Sequence, residues 1–341
     1  HVTPRGVRAV DVDAVDAFAL ANGLRVFVQP RRGNGTVYVR ADLDRTDGAR
    51  HYGAPAHVTR VAETHAIVVD DDDGIRMHGF ARELPTMLRL IAEVWRRPHT
   101  RHYVPAHPEG AWIVVTGDVD ALVLRARTTE IFGGWHVPAP PQPSASPQPA
   151  LAKSRRPLQS MVVRVGTSSV RTIMMQPAPK GGDADRPAMG LLDEVLGANN
   201  DIDARLGTEV RRRRGLVYMV GTFYDADNGL FFVYFEAPRA RFRAARAAVR
   251  HVIGGLQKNP VTSEELERAR HKLLSSALRA ESNPTGILDR LSTAARENQP
   301  PDDLQTLAAR YDAVTLADIR RIARTRLTLD AMLEFSAGPV P

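Results

Sequence analysis

The chain has 341 residues and no cysteine, with 43% apolar and 25% charged residues and a formal net charge of +7 carried mainly by arginine. That length suits about two domains with separate cores, and the lack of thiols excludes disulfides and thiolate metal sites. No apolar run reaches the roughly 20 residues of a membrane-spanning helix, and with only 6% aromatics, none interleaved with the basic residues, nucleic acid is a poor partner.

In chain order, residues 18–28 read as strand, Asn22-Gly23 turn and strand. Residues 36–43 alternate, with Val37, Val39, Ala41 and Leu43 on one face and Tyr38, Arg40 and Asp42 on the other, as a half-buried antiparallel strand does. Residues 66–80 form a hairpin around Asp70 to Gly74. That acidic turn lacks the spaced ligands of a calcium loop and reads as a solvated Asp-Gly turn. Leu84, Met87, Leu88, Ile91 and Trp95 mark an amphipathic helix that ends before Pro98. His99, His102 and His107 cluster in a proline-broken loop without a helical frame or fourth ligand, a weak metal candidate. Residues 111–116 are a buried-type strand, and Gly117-Asp118-Val119-Asp120 starts a helix ending near Gly133. The proline-rich run 137–157 cannot pack and reads as a linker. It divides the chain into domains 1–136 and 158–341.

The second domain opens with two strands read as a pair, 161–165 and 171–175, then a helix from Pro187 stopped by Gly197. Ile202, Leu206 and Val210 fall on one helical face. Gly215 stands where a helix ends in a left-handed residue, after a basic last turn. A strand follows from Leu216 to Tyr224. This junction sets Arg211 seven residues before Tyr218. On spacing alone, the four consecutive arginines also fit a solvated charged face. Residues 230–235 read as a strand buried on both faces. Phe242, Ala245, Val249, Val252, Ile253 and Leu256 form one helical stripe. Thr262 and Glu265 form a capping box for a helix facing the core through Leu266, Ala269, Leu273, Leu274, Ala277 and Leu278. Asn283-Pro284 starts another helix, Thr315 caps a last one, and residues 332–335 close the chain as a strand.

Glu209-Val210-Arg211 followed by Arg214-Gly215-Leu216-Val217-Tyr218 resembles the "LREKRGLAY" segment of the insulinase/pitrilysin-type zinc peptidases. The branch it is most similar to is the mitochondrial-processing-peptidase-like one, whose bacterial members often work as two chains. Leu20 to Val26 resembles that family's opening strands, and the stretch from Gly117 to Trp135 resembles the end of its first domain. Residues 260–273 match it closely. The resemblance implies an α+β chain of two tandem homologous α/β sandwiches, each an antiparallel sheet with helices packed on one face. It also implies that Arg211 and Tyr218 reach a peptide held at zinc.

The family's His-x-x-Glu-His, in which histidines one helical turn apart bind zinc and the Glu polarises water, has no counterpart here. His51, His57 and His65 lack the spacing. The chain also looks short around residues 44–63 and 97–103. The favoured implication is the non-zinc subunit of a two-chain metalloendopeptidase. It would have no cofactor or metal of its own, with zinc in a homologous partner, a peptide substrate and no membrane span. Two alternatives stay open: a complete peptidase whose zinc segment is absent from this sequence, and a silent scaffold or peptide-binding homologue. The compartment is open between bacterial cytoplasm and periplasm.

Overall fold

A computed structural model describes residues 15–43, 54–70, 74–96, 107–137, 160–297, 304–329 and 332–339. The sequence features at residues 44–53, Asp71 to Asp73, His99, His102 and the linker from 138 to 157 lie outside these. The first elements are β1 (Asp16–Ala19), β2 (Arg25–Pro30), β3 (Thr36–Leu43), α1 (Ala56–Thr64), β4 (Val68–Asp70), β5 (Ile75–Phe80), α2 (Leu84–Arg96), β6 (Ala111–Gly117) and α3 (Ala121–Phe132). Then come β7 (Ser160–Val163), β8 (Ser169–Pro177), α4 (Arg186–Leu196), β9 (Met219–Asp225), β10 (Leu230–Pro238), α5 (Phe242–Gly254) and α6 (Ser263–Glu281). The last are α7 (Pro284–Glu297), α8 (Leu304–Asp312), α9 (Leu316–Thr325) and β11 (Leu333–Ala337).

The chain forms two compact units. One takes residues 1–144 with 278–303, the other 145–277 with 304–341. The sequence reading kept 158–341 together, whereas the structure gives α7 to the first unit.

The first unit's sheet runs β1-β2-β6-β3-β5-β4. It is mixed rather than antiparallel throughout, because β6 returns beside β2 in the parallel sense after a crossover that carries helices. One face packs Val26, Val28, Val37, Val39 and Val115 against α2, α3 and Trp135. Helices on one face alone were expected, but the other face is also covered. Phe27, Trp112 and Val114 pack there against Ile287, Leu288, Leu291 and Ala295 of α7. That changes the reading of β3. Arg40 and Asp42, expected on a wet face, are buried. Arg40 Nη1 donates to Asp289 Oδ1 of α7 at 2.9 Å, and Arg76 Nη2 donates to the same oxygen at 2.9 Å. A buried guanidinium needs such a partner.

The second unit's sheet runs β7-β11-β8-β10-β9. In order of appearance along the chain its strands repeat the β2-β6-β3-β5-β4 arrangement, including one parallel pair at the same place. The two strands expected to pair, β7 and β8, are separated by β11, which is parallel to β7 and antiparallel to β8. Met174, Phe231, Val233 and Phe235 face a core completed by Met189 and Leu192 of α4, Val249 of α5 and Ile322 of α9.

The expected two-sided burial of residues 230–235 is not found, since β10 alternates between buried and half-buried residues. Its half-buried face continues across the sheet as Met161, Phe335 and Ile173 in one row and Leu333 and Phe223 in the next, all exposed. Along α6, Leu266 and Ala269 are buried as the stripe predicts, while Leu278 is 38% exposed.

Candidate functional site

The arginine–tyrosine junction begins at the end of α4. Gly197 (φ +153°) stops that helix, and Asn199 (φ +55°) and Asn200 (φ +61°) turn the chain back. The loop then closes on Gly207 so tightly that a Cβ there would sit 2.2 Å from the Asp201 carbonyl oxygen, which only glycine avoids. From Gly207 to Arg213 the chain is a π-helix, where an ordinary α-helix is the default expectation. Such turns are rare and concentrate at functional sites. Leu206 and Val210 are buried as the periodicity predicts, whereas Ile202 lies before the helix and is 42% exposed. Gly215 adopts φ +59° as expected of a helix-ending glycine. Nested bonds from Gly215 N–H to Arg211 O and from Leu216 N–H to Val210 O close the junction.

The four arginines differ sharply. Arg212 donates to Asp203 Oδ1 at 2.6 Å and to Thr208 Oγ1 at 3.1 Å. Arg213 donates to Glu209 Oε2 at 3.4 Å, and Arg214 Nε donates to Glu209 Oε1 at 2.8 Å. The bond from Arg214 is the main cause that lowers the Glu209 pKa below the usual carboxylate range, with Arg213 adding to it. The Arg211 guanidinium makes no hydrogen bond or ion pair among the described residues, and it is half-buried. Tyr218 is 61% exposed. Its backbone N–H bonds the Glu236 carbonyl at 2.8 Å, extending the β9–β10 ladder, and its phenol has no partner among the described residues. Both sequence-selected residues stand at this junction, and neither polar end has a partner among the described residues.

β9, which continues from Tyr218, is an edge strand with a closed edge. Val220 N–H donates to Asn200 Oδ1 at 3.0 Å, Thr222 N–H to the Gly197 carbonyl at 3.0 Å, and Tyr224 N–H to Asp193 Oδ2 at 3.2 Å. Asp193 is buried, its Oδ1 has no partner among the described residues, and burial raises its pKa to about 7. Sequence reading missed this residue, since an aspartate late in a helix carries no signal of its own.

A cleft of about 450 Å³ beside the π-helix is lined by Asp203, Arg205, Thr208, Glu209, Arg213 and Glu265, among others. Its charges satisfy one another. Arg205 clamps Glu265 through Nε and Nη2 at 2.7 Å each and also donates to the Asn259 and Pro260 carbonyls. Among the described residues there is no group of three His, Asp, Glu or Cys that could hold a metal. His57 pairs with Glu93 and His65 with Glu83.

Comparison with known proteins fits this architecture. The family model for the peptidase M16 inactive domain matches residues 96–273, more than half of the chain, and the chain belongs to that family. Over 137 residues it is 28% identical to the chloroplastic stromal processing peptidase of Pisum sativum. The match covers 38% of this chain and 10% of that protein, so the chain spans about a tenth of the length of its curated relative. Among solved structures, it resembles a protease from Helicobacter pylori at TM-score 0.76 and 14% identity, covering 96% of this chain and 100% of the other. It also resembles a peptidase M16 inactive domain from Pseudomonas fluorescens at TM-score 0.73 and 17% identity, covering 96% and 98%. At these identities the likeness is one of fold.

Proposed function

We propose that the chain is the non-zinc subunit of a two-chain zinc metalloendopeptidase of the mitochondrial-processing-peptidase-like type. In this reading it is built as two homologous sandwiches and donates Arg211 and Tyr218 to a peptide bound by a homologous partner. The partner's zinc, when bound, supplies water activation. This chain's part is to bind the peptide and stabilise charge. Peptide hydrolysis develops negative charge on the scissile carbonyl oxygen, and a fixed guanidinium or phenol donor lowers that barrier. The observation that carries the reading is the sorting of the arginines: three of four are bound to an acid, while Arg211, seven residues before the exposed Tyr218, has no acid partner among the described residues.

The test is turnover of an unstructured peptide by this chain mixed with a zinc-bearing homologue. Arg211→Ala and Tyr218→Phe are each expected to lower kcat on the order of a hundredfold without unfolding the chain, with Arg211→Ala also raising KM. Arg212→Ala and Arg213→Ala are expected to change little. An equal loss at all four arginines would refute the assignment, because the run would then act as a diffuse basic patch. The exposed apolar row Met161, Phe335 and Ile173 favours a second reading, a peptide-binding subunit without a catalytic role. In that case peptide binding persists while no mixture gains chelator-sensitive cleavage.

A further inference from the structure

The outer edge of β9 is tied to the end of α4 and the turn after it at every second residue. Val220 N–H donates to the Asn200 side chain, Thr222 N–H to the Gly197 carbonyl and Tyr224 N–H to Asp193 Oδ2. Gly221 permits this close approach, since a Cβ there would sit 2.8 Å from the Gly197 carbonyl oxygen and 2.6 Å from the Tyr234 phenol oxygen. Of the three acceptors only Asp193 titrates, and it stands where a negative charge is poorly received. It lies in the last turn of α4, at the negative end of the helix dipole. Its backbone carbonyl already accepts from Gly197 N–H at 2.9 Å, Ala198 N–H at 3.1 Å and Thr222 Oγ1 at 3.2 Å. Its carboxyl is buried, and Oδ1 has no partner among the described residues. The titratable groups around it bring no relief. Glu194 of α4 adds repulsion, Lys272 of α6 is paired with Asp201, and Tyr234 of β10 presents a phenol whose pKa burial raises.

We infer that Asp193 is a proton-operated clasp: protonated, it keeps the Tyr224 end of β9 closed against α4, and loss of the proton lets that end open while Val220 and Thr222 stay tied. Burial favours the neutral carboxyl, so the closed clasp holds its proton more tightly than an open one, whose carboxyl meets water. The Tyr224 N–H favours the ionised form, but burial outweighs it and the closed carboxyl titrates at about 7, against 3.8 for an ordinary aspartate. Rising pH therefore favours opening by about tenfold per pH unit between those two values. Below that window both forms carry the proton and above it neither does, so the balance stops changing. Opening stays local because the acceptors of Val220 and Thr222 are an amide and a carbonyl, uncharged throughout. A move from acidic to neutral surroundings thus loosens the far end of the strand that continues from Tyr218. The inference does not rest on the peptidase reading.

The experiment is native-state hydrogen exchange on the full chain, read amide by amide by NMR between about pH 5 and about pH 7. Rates are corrected for the intrinsic pH dependence of exchange. Protection of the Tyr224 amide is expected to fall by at least about tenfold over that range, with about a hundredfold as the linkage limit. Low urea separates a clasp from global unfolding. A local opening exposes little surface, so Tyr224 exchange should ignore urea, whereas exchange of Val233 in the middle of β10 should accelerate with it. Asp193→Asn keeps a carbonyl oxygen for the Tyr224 N–H and has no proton to lose, so its Tyr224 protection should be flat with pH. Constant Tyr224 protection in the wild-type chain would overturn the inference. So would an equal fall in Asp193→Asn, or a urea dependence at Tyr224 equal to that at Val233. None of these results bears on Arg211 or on the Tyr218 phenol.

Discussion

Replacing Asp193 by asparagine isolates the energetics of one buried carboxyl that holds the edge of β9. In the folded chain burial raises its pKa to about 7, against 3.8 for an ordinary aspartate. The folded state therefore binds the proton more tightly than the unfolded state does. Its contribution to stability is complete below pH 3.8, declines as pH rises between the two values, and is lost above about 7. At about 1.4 kcal/mol per pH unit the difference approaches about 4 kcal/mol. Asparagine keeps a carbonyl oxygen for the Tyr224 N–H and carries no charge, so it removes this slope. Glu194, whose own pKa burial raises against the opposing pull of Lys272, adds to the rise at Asp193 by charge repulsion, so the slope removed by asparagine includes that coupling. The assay is urea unfolding of both proteins followed by circular dichroism from pH 4.5 to 8.5. The stability of the asparagine variant relative to wild type should climb by several kcal/mol across that range. A difference that stays constant with pH would refute the reasoning, since the Asp193 carboxyl would then titrate alike in both states.

Two further predictions concern packing. Gly207→Ala places a Cβ 2.2 Å from the Asp201 carbonyl oxygen. It should lower stability by about 1–3 kcal/mol, read from the urea midpoint, and an unchanged midpoint would show that the loop gives way freely. Leu291→Ala empties a fully buried site between α7 and β6 and should cost about 2–5 kcal/mol. The exposed control Leu122→Ala should stay within about 0.5 kcal/mol, and equal effects would mean that α7 does not pack as described.

The local grammar of the chain was readable wherever one residue type has one structural use. Gly215 announced a left-handed helix end because few other residues adopt that φ cheaply. Thr262 and Glu265, three apart, announced a capping box, and both halves of it form. What stayed hidden depends on residues far away in sequence. Arg40 and Asp42 alternate like solvent-facing residues, and nothing near β3 reveals that Asp289, 249 positions on, closes that face. The insertion of β11 between β7 and β8 is equally non-local, since strand order leaves no trace in the strands' own periodicity.

At the site, Glu209 lies four residues before Arg213, so spacing alone suggests that pair, whereas the bond from Arg214, five residues on, is not one that α-helical spacing suggests. The pairing of Arg212 with Asp203 requires the turn at residues 197–204. Sequence spacing could therefore single out Arg211 only through family resemblance. The π-helix carries no signal that separates it from an α-helix.

The placement of α7 bears on how the chain is made. The first unit's sheet appears early in synthesis, but the helix that seals its second face ends at Glu297, about 150 residues after the unit's first segment closes. At ordinary elongation rates of about 5–20 residues per second, that is a delay of roughly 10 to 30 s. During it the Arg40 guanidinium lacks Asp289, and Trp112 lacks the Leu291 side that covers it. The nascent first unit is therefore an unfinished object on the ribosome, with apolar surface of β2 and β6 still open to water. Its completion depends on translation continuing through much of the second unit.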